Sequence, residues 1–128
     1  MSELHVDGLK DLRKALKQAG PDSVKALQYG LRAGAEIVAQ RAEQLAPVGT
    51  RPKPPGVPHL RDTIRAGTAG AYARVYSNAV YANPIHWGWP RRHIKPHPFI
   101  EEAIDDKQDE FVAAIDERLG ALYRRLGL

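Results

Sequence analysis

Nine of the chain's ten prolines fall within residues 47–58 and 84–98, and they dictate where regular structure can exist. Proline lacks an amide proton and fixes φ, so residues 47–58 can be neither helix nor central strand. Residues 47–58, with five prolines and two glycines, predict an extended surface loop that exposes Arg51 and Lys53. A loop of this length inside a compact domain is more often functional than a mere linker. The second stretch lies within Tyr81–Ile104, which holds both tryptophans and three of the five histidines and runs straight into an acidic amphipathic segment. Trp and Arg give large contact energies per residue, so this connection reads as a contact surface.

Between these breaks the periodicity is clear. Leu9, Leu12 and Leu16 predict a helix over 4–19, which Gly20-Pro21 stops. Asp22 or Ser23 is a suitable cap for a second helix carrying the stripe Val24, Leu27, Leu31, Val38, Ala42 and Leu45. Gly30 and Gly34 weaken it by up to ~1 kcal/mol each relative to Ala, which predicts a close approach by another backbone. Residues 63–67 then read as a strand, 68–70 as a turn and 73–81 as a second strand, with Val75, Ser77, Ala79 and Tyr81 on one face. Such a hairpin is marginal alone and needs helices or further strands to cover it. After Pro98 comes a long helix with the stripe Ile100, Ile104, Phe111, Ile115, Leu119, Leu122 and Leu126. Its acidic residues cluster early and its arginines late, the sense its dipole favours. The expected fold is α+β: N-terminal helices, a small antiparallel sheet and a long C-terminal helix packed on the sheet, all in one domain over 1–128.

Charge is unevenly spread. Residues 1–50 carry seven Lys/Arg against six Asp/Glu, residues 51–97 eight against one, and residues 98–128 four against eight. The net +4 therefore hides a basic centre beside an acidic end. Such polarity governs association and orientation. The plainer reading is a solvated acidic helix beside a basic loop. Without cysteine there are no disulfides, thiolate metal sites or thiol nucleophiles, which fits a reducing compartment. No apolar run approaches the ~20 residues that span a bilayer, and the start lacks a secretory pattern.

Chemistry is thinly supported. His93 and His97 stand four apart near His86, but Pro96 and Pro98 deny them a helix, so they read as polar loop residues and not as zinc ligands. A nuclease using these histidines with Arg91, Arg92 and Lys95 as a phosphate clamp would find only Asp62 as an acid within 51–97. The carboxylates of 101–110 point different ways around their helix. No Gly-rich phosphate motif or nucleophilic serine motif occurs. No catalytic residue, metal or cofactor is expected. Trp87 and Trp89 flank Gly88; one of them anchors the loop to the core, or they anchor a neighbouring subunit, or aromatics including Tyr72, Tyr76 and Tyr81 stack on single-stranded nucleic acid.

The order Ala46-Pro47, Leu60-Arg61-Asp62-Thr63-Ile64, Arg74-Val75-Tyr76, Tyr81-Ala82, Trp87-Gly88 and Pro96-His97-Pro98-Phe99-Ile100 resembles the small tail-component, or neck, family of long-tailed bacteriophages and prophages. The resemblance covers roughly residues 35–110 and lies in order and spacing, not in any single motif. That family commonly has an acidic residue before the aromatic-Gly pair, where this chain has His86, and a shorter segment before the position of Leu60. The resemblance implies a non-enzymatic virion protein at the head–tail junction, for neck, tail completion or tail termination. It implies a homo-oligomeric ring of six or a multiple such as twelve, joining head-completion or connector proteins to the tail tube around DNA. Heterologous contacts build such rings, and the basic centre and acidic helix offer two unlike surfaces. Arg51, Lys53, Arg91, Arg92 and Lys95 are then the candidate partner or DNA contacts, and Trp87, Trp89 and Phe99 the candidate interface anchors. Assembly in the bacterial cytoplasm, with no membrane partner, follows from the same resemblance. The rival expectations are a stand-alone basic nucleic-acid-binding protein, consistent with a pI near 9.5, and a small toxin-like ribonuclease.

Overall fold

The computed structural model describes residues 2–4, 8–47, 59–79 and 81–125. The elements run β1 (Ser2–Leu4), α1 (Leu9–Ala19), α2 (Pro21–Leu45), a 3-10 turn (Leu60–Thr63), β2 (Ile64–Ala69), β3 (Tyr72–Ser77), α3 (Ala82–Trp87), a second 3-10 turn (Pro90–Arg92) and α4 (Phe99–Arg125). The fold is α+β, as expected. The Pro-rich segment 48–58, with Arg51 and Lys53, lies outside the described residues, as do Val80 and Leu126.

Helices α2 and α4 form the spine. Leu27, Leu31, Ala35, Val38 and Ala42 of α2 are buried, as are Phe99, Ile100, Ala103, Phe111, Ile115, Leu119 and Leu122 of α4. The helices run antiparallel, since Gly30 faces Ile115, Gly34 faces Phe111 and Arg41 pairs with Asp106. A Cβ on Gly30 would sit 2.9 Å from the Ile115 Cα, and one on Gly34 would sit 2.5 Å from Phe111 Cδ2. The two glycines thus mark the close approach their sequence positions predict. Within α4, Lys107 departs from helical geometry (φ −117°, ψ 15°) and kinks the helix. No proline or glycine stands there. The Arg41–Asp106 pair (2.9 Å) and the Lys107–Glu110 pair (3.8 Å) flank the kink.

The sheet is three-stranded and antiparallel in the order β1-β3-β2. Val75 lies opposite Ala66 and Ser2, and Ala73 opposite Thr68 and Leu4. Leu4, Ala73, Val75 and Ile64 point into the core. α2 covers the sheet from within, and α4 reaches it at β1 while packing chiefly on α2. Arg74 and Tyr76 share the outer face, where the guanidinium lies 5.1 Å from the ring centre.

Three expectations need correction. The first helix begins at Leu9 and not at residue 4, because Leu4 is taken up as a strand partner of Ala73. This strand supplies the extra cover the hairpin needed. The second strand ends at Ser77 and not at 81. There the amide of Ala79 donates to Ser77 Oγ (3.2 Å), and Tyr81 already caps the short helix α3. The turn between strands centres on Gly70-Ala71, one or two residues later than expected.

Candidate functional site

The Pro/Trp-dense connection folds into a defined projection at one end of the spine. α3 delivers His86 and Trp87, and Gly88 then reverses the chain with φ +83°. Its missing side chain matters as well, since a Cβ there would meet the Pro96 ring at 2.9 Å. Trp89 and Ile94 pair as an antiparallel bridge through two backbone bonds, Trp89 N to Ile94 O (2.9 Å) and Ile94 N to Trp89 O (3.0 Å). Between them the amides of Arg92 and His93 donate to the carbonyls of Trp89 and Pro90, and His93 takes a left-handed conformation (φ 58°) that closes the loop. The base is fixed by the His97 amide donating to the Ile85 carbonyl (2.9 Å). His97 Nε2 donates to the Leu45 carbonyl (3.1 Å), one of the orphan acceptors at the end of α2.

This frame displays the predicted contact residues unequally. Trp87 is 54% exposed and Trp89 43% exposed, so neither is the core anchor. Arg91, Arg92 and Lys95 are exposed at the tip, and the Arg92 guanidinium lies 5.5 Å from the Trp89 ring centre. A cation over an indole face is worth about 0.5–1 kcal/mol at an exposed site and holds both groups in one orientation. Phe99 is a correction. It is fully buried in this chain's own core and has no surface left to anchor a neighbour. Tyr72 and Tyr76 are half-buried strand residues, whereas Tyr81 precedes α3, so the three tyrosines do not form one stacking platform.

His86 is the second correction. It is fully buried, not a polar loop residue, and neither ring nitrogen has a hydrogen-bond partner. Its ring meets Trp87 and Phe99 edge-on, at 4.1 and 5.2 Å between centres. Burial pushes its pKa below the ordinary 6.5, and the carboxylates of Glu101 and Glu102 partly oppose that shift. The ring is held neutral and works as packing behind Trp87. His93 and His97 are exposed, and among the described residues no group of three or more His, Asp and Glu is arranged to hold a metal ion.

Next to the projection, the start of α4 presents Glu101, Glu102, Asp105 and Asp106, all exposed, with Asp109 and Glu110 beyond the kink. Glu102 and Asp105 stand three apart ahead of the kink, so one side of the helix is acidic along its first turns. A basic aromatic tip and an acidic helix face therefore stand as two unlike surfaces of one molecule.

The sequence reading overlooked a second basic feature. Lys10, Arg13, Lys14 and Lys17 of α1 line a cleft of about 890 Å³ against the β2–β3 turn at Gly70, Ala71 and Tyr72. The spacings of three and four within α1 carried that signal, but only the packing of α1 beside the turn makes it a cleft. Among the described residues no helix is long and apolar enough to cross a membrane. Compared with protein-family models, curated proteins and solved structures, the chain matches none of them.

Proposed function

We propose that this chain is a structural subunit of a phage head–tail junction, assembling head-to-tail with its own copies into a ring around DNA. The observation that carries the reading is the rigid tip of Trp87, Trp89, Arg91, Arg92 and Lys95, displayed on a backbone frame and matched in charge by the acidic start of α4. A tip from one copy seated on the α4 face of the next is a heterologous contact, and such contacts form a ring when the rotation between copies closes and an open filament when it does not. The tryptophans supply apolar area at low entropic loss, and the charges set register. The family resemblance supplies the place, a neck or tail-completion ring in the virion between connector and tail-tube proteins. Basic groups left unpaired would meet phosphates without reading sequence.

Charge exchange tests the contact. Arg91→Glu with Arg92→Glu, and separately Glu102→Lys with Asp105→Lys, should each abolish self-assembly measured by native mass spectrometry. Mixing the two variants should restore it with the variants alternating, because each acidic reversed tip then meets a basic reversed helix and each original basic tip meets an original acidic one. Trp87→Ala with Trp89→Ala should also block assembly while leaving the circular dichroism and the denaturation midpoint nearly unchanged. Assembly indifferent to all of these changes refutes the contact. Absence of the protein from purified virions refutes the location.

A further inference from the structure

We infer that the cleft between α1 and the β2–β3 turn is a binding site for the sugar-phosphate backbone of DNA, separate from the projecting tip. Four cations, Lys10, Arg13, Lys14 and Lys17, line it against one carboxylate, Asp11. The lysines are exposed, so their charges lie at the mouth of the cleft. The Arg13 side chain is half-buried, and its Nε is shut off from solvent with no hydrogen-bond partner. The opposite wall is Gly70, Ala71 and Tyr72. A Cβ on Gly70 would meet nothing within 4 Å, so a backbone can come close on that side.

Spacing and composition favour a nucleic-acid backbone over an acidic protein. From Lys10 to Lys17 the helix rises about 10 Å at ~1.5 Å per residue. A DNA strand offers one phosphate per about 3.4 Å of axis, so the row of cations spans roughly three phosphates of one strand. Lysine is depleted in protein–protein interface cores, whereas phosphate contacts use it freely. The cleft wall also lacks the exposed Trp or Phe that would anchor a protein partner. Its three lysines are exposed point charges suited to phosphate, so binding there is steeply dependent on salt. It stands whether or not the chain forms a ring, because the isolated subunit already contains every residue of the cleft.

The test is fluorescence anisotropy of the full-length chain with a labelled DNA duplex across a series of salt concentrations. The variant Lys10→Gln, Lys14→Gln, Lys17→Gln is compared with a control of equal charge change, Arg32→Gln, Arg61→Gln, Arg124→Gln, whose residues are exposed and lie away from the cleft. Circular dichroism checks that both are folded. If each lysine neutralises one phosphate, the cleft variant lowers the log–log salt slope by about 2.7, at ~0.9 per contact, and the control lowers it by less than one. No binding by the unaltered chain at low salt, a slope change under one in the cleft variant, or an equal loss in both variants overturns the assignment. Polyglutamate competing as well as unlabelled duplex, with the same dependence on the lysines, would overturn it in favour of an acidic protein partner.

Discussion

Replacing Gly30 by alanine tests whether the α2–α4 contact is as close as described. The substitution would ordinarily stabilise a helix, by up to about 1 kcal/mol, because alanine loses less backbone entropy than glycine. Here the new Cβ would stand 2.9 Å from the Ile115 Cα and 3.5 Å from the Ala114 carbonyl oxygen. Carbon atoms in favourable contact lie about 3.5–4.0 Å apart, so the two helices must separate by roughly 0.6 Å or more. The obstacle is backbone, which cannot rotate away as a side-chain tip can. Opening the spine there loosens Leu27 and Leu31 on one side and Ile115 and Leu119 on the other, all of them buried. Overpacking of this kind costs about 1–3 kcal/mol, which offsets the propensity gain and leaves a net loss of up to about 2 kcal/mol. Gly120→Ala is the internal comparison. It lies in α4, its Cβ would find only Arg124 Nη1 at 3.6 Å, and it should stabilise by up to about 1 kcal/mol. Urea denaturation should therefore move the two midpoints in opposite directions with unchanged slope, at most by roughly 0.7–2 M for Gly30→Ala and roughly 0.3–1 M for Gly120→Ala at a slope of ~1–3 kcal/mol/M. If Gly30→Ala rises in stability as Gly120→Ala does, the helices are not in backbone contact and the argument for the spine fails.

Two further outcomes follow from buried polar groups. Because burial holds the His86 pKa below 6.5, the unfolded chain takes up a proton that the folded chain refuses. That contribution to stability is complete above 6.5 and is lost as pH falls towards the lower folded value; in His86→Leu this loss should vanish, so the variant's denaturation midpoint should rise relative to the wild type's on acidification. The Thr63 hydroxyl donates to the Leu60 carbonyl (2.7 Å) and accepts from Ser77 Oγ (2.6 Å), which in turn accepts from the Ala79 amide. Thr63→Val breaks this relay at a buried point, and denaturation should show a loss of about 1–3 kcal/mol.

Much of this fold was legible because it is written in local period. The stripes of α2 and α4 needed only their spacing of three and four, and Gly30 and Gly34 declared a helix contact because nothing local justifies glycine in a helix interior. The same logic misread Leu4 at one end, and Asn78 and Ala79 at the other. Leu4 fits a helical stripe as well as a strand, and only its pairing with Ala73, far along the chain, decides between them. His86 shows the limit for sites. It stands among Pro84, Ile85, Trp87 and Gly88, a stretch that reads as a loop, yet the ring is pressed against Phe99 by a fold-back that no local pattern announces. The basic row of α1 was visible as a helix face, but the wall opposite comes from a turn some fifty residues away.

The frame of the projection carries a further consequence. Its shape is set by main-chain bonds at Trp89, Ile94, Arg92, His93 and His97, by Gly88 and by the proline rings, and not by the side chains it shows to solvent. Recognition and architecture are thus uncoupled there. Side chains at 87, 89, 91, 92 and 95 can be exchanged like type in a fixed forme, so the surface chemistry of the projection can change without redesigning the domain that holds it.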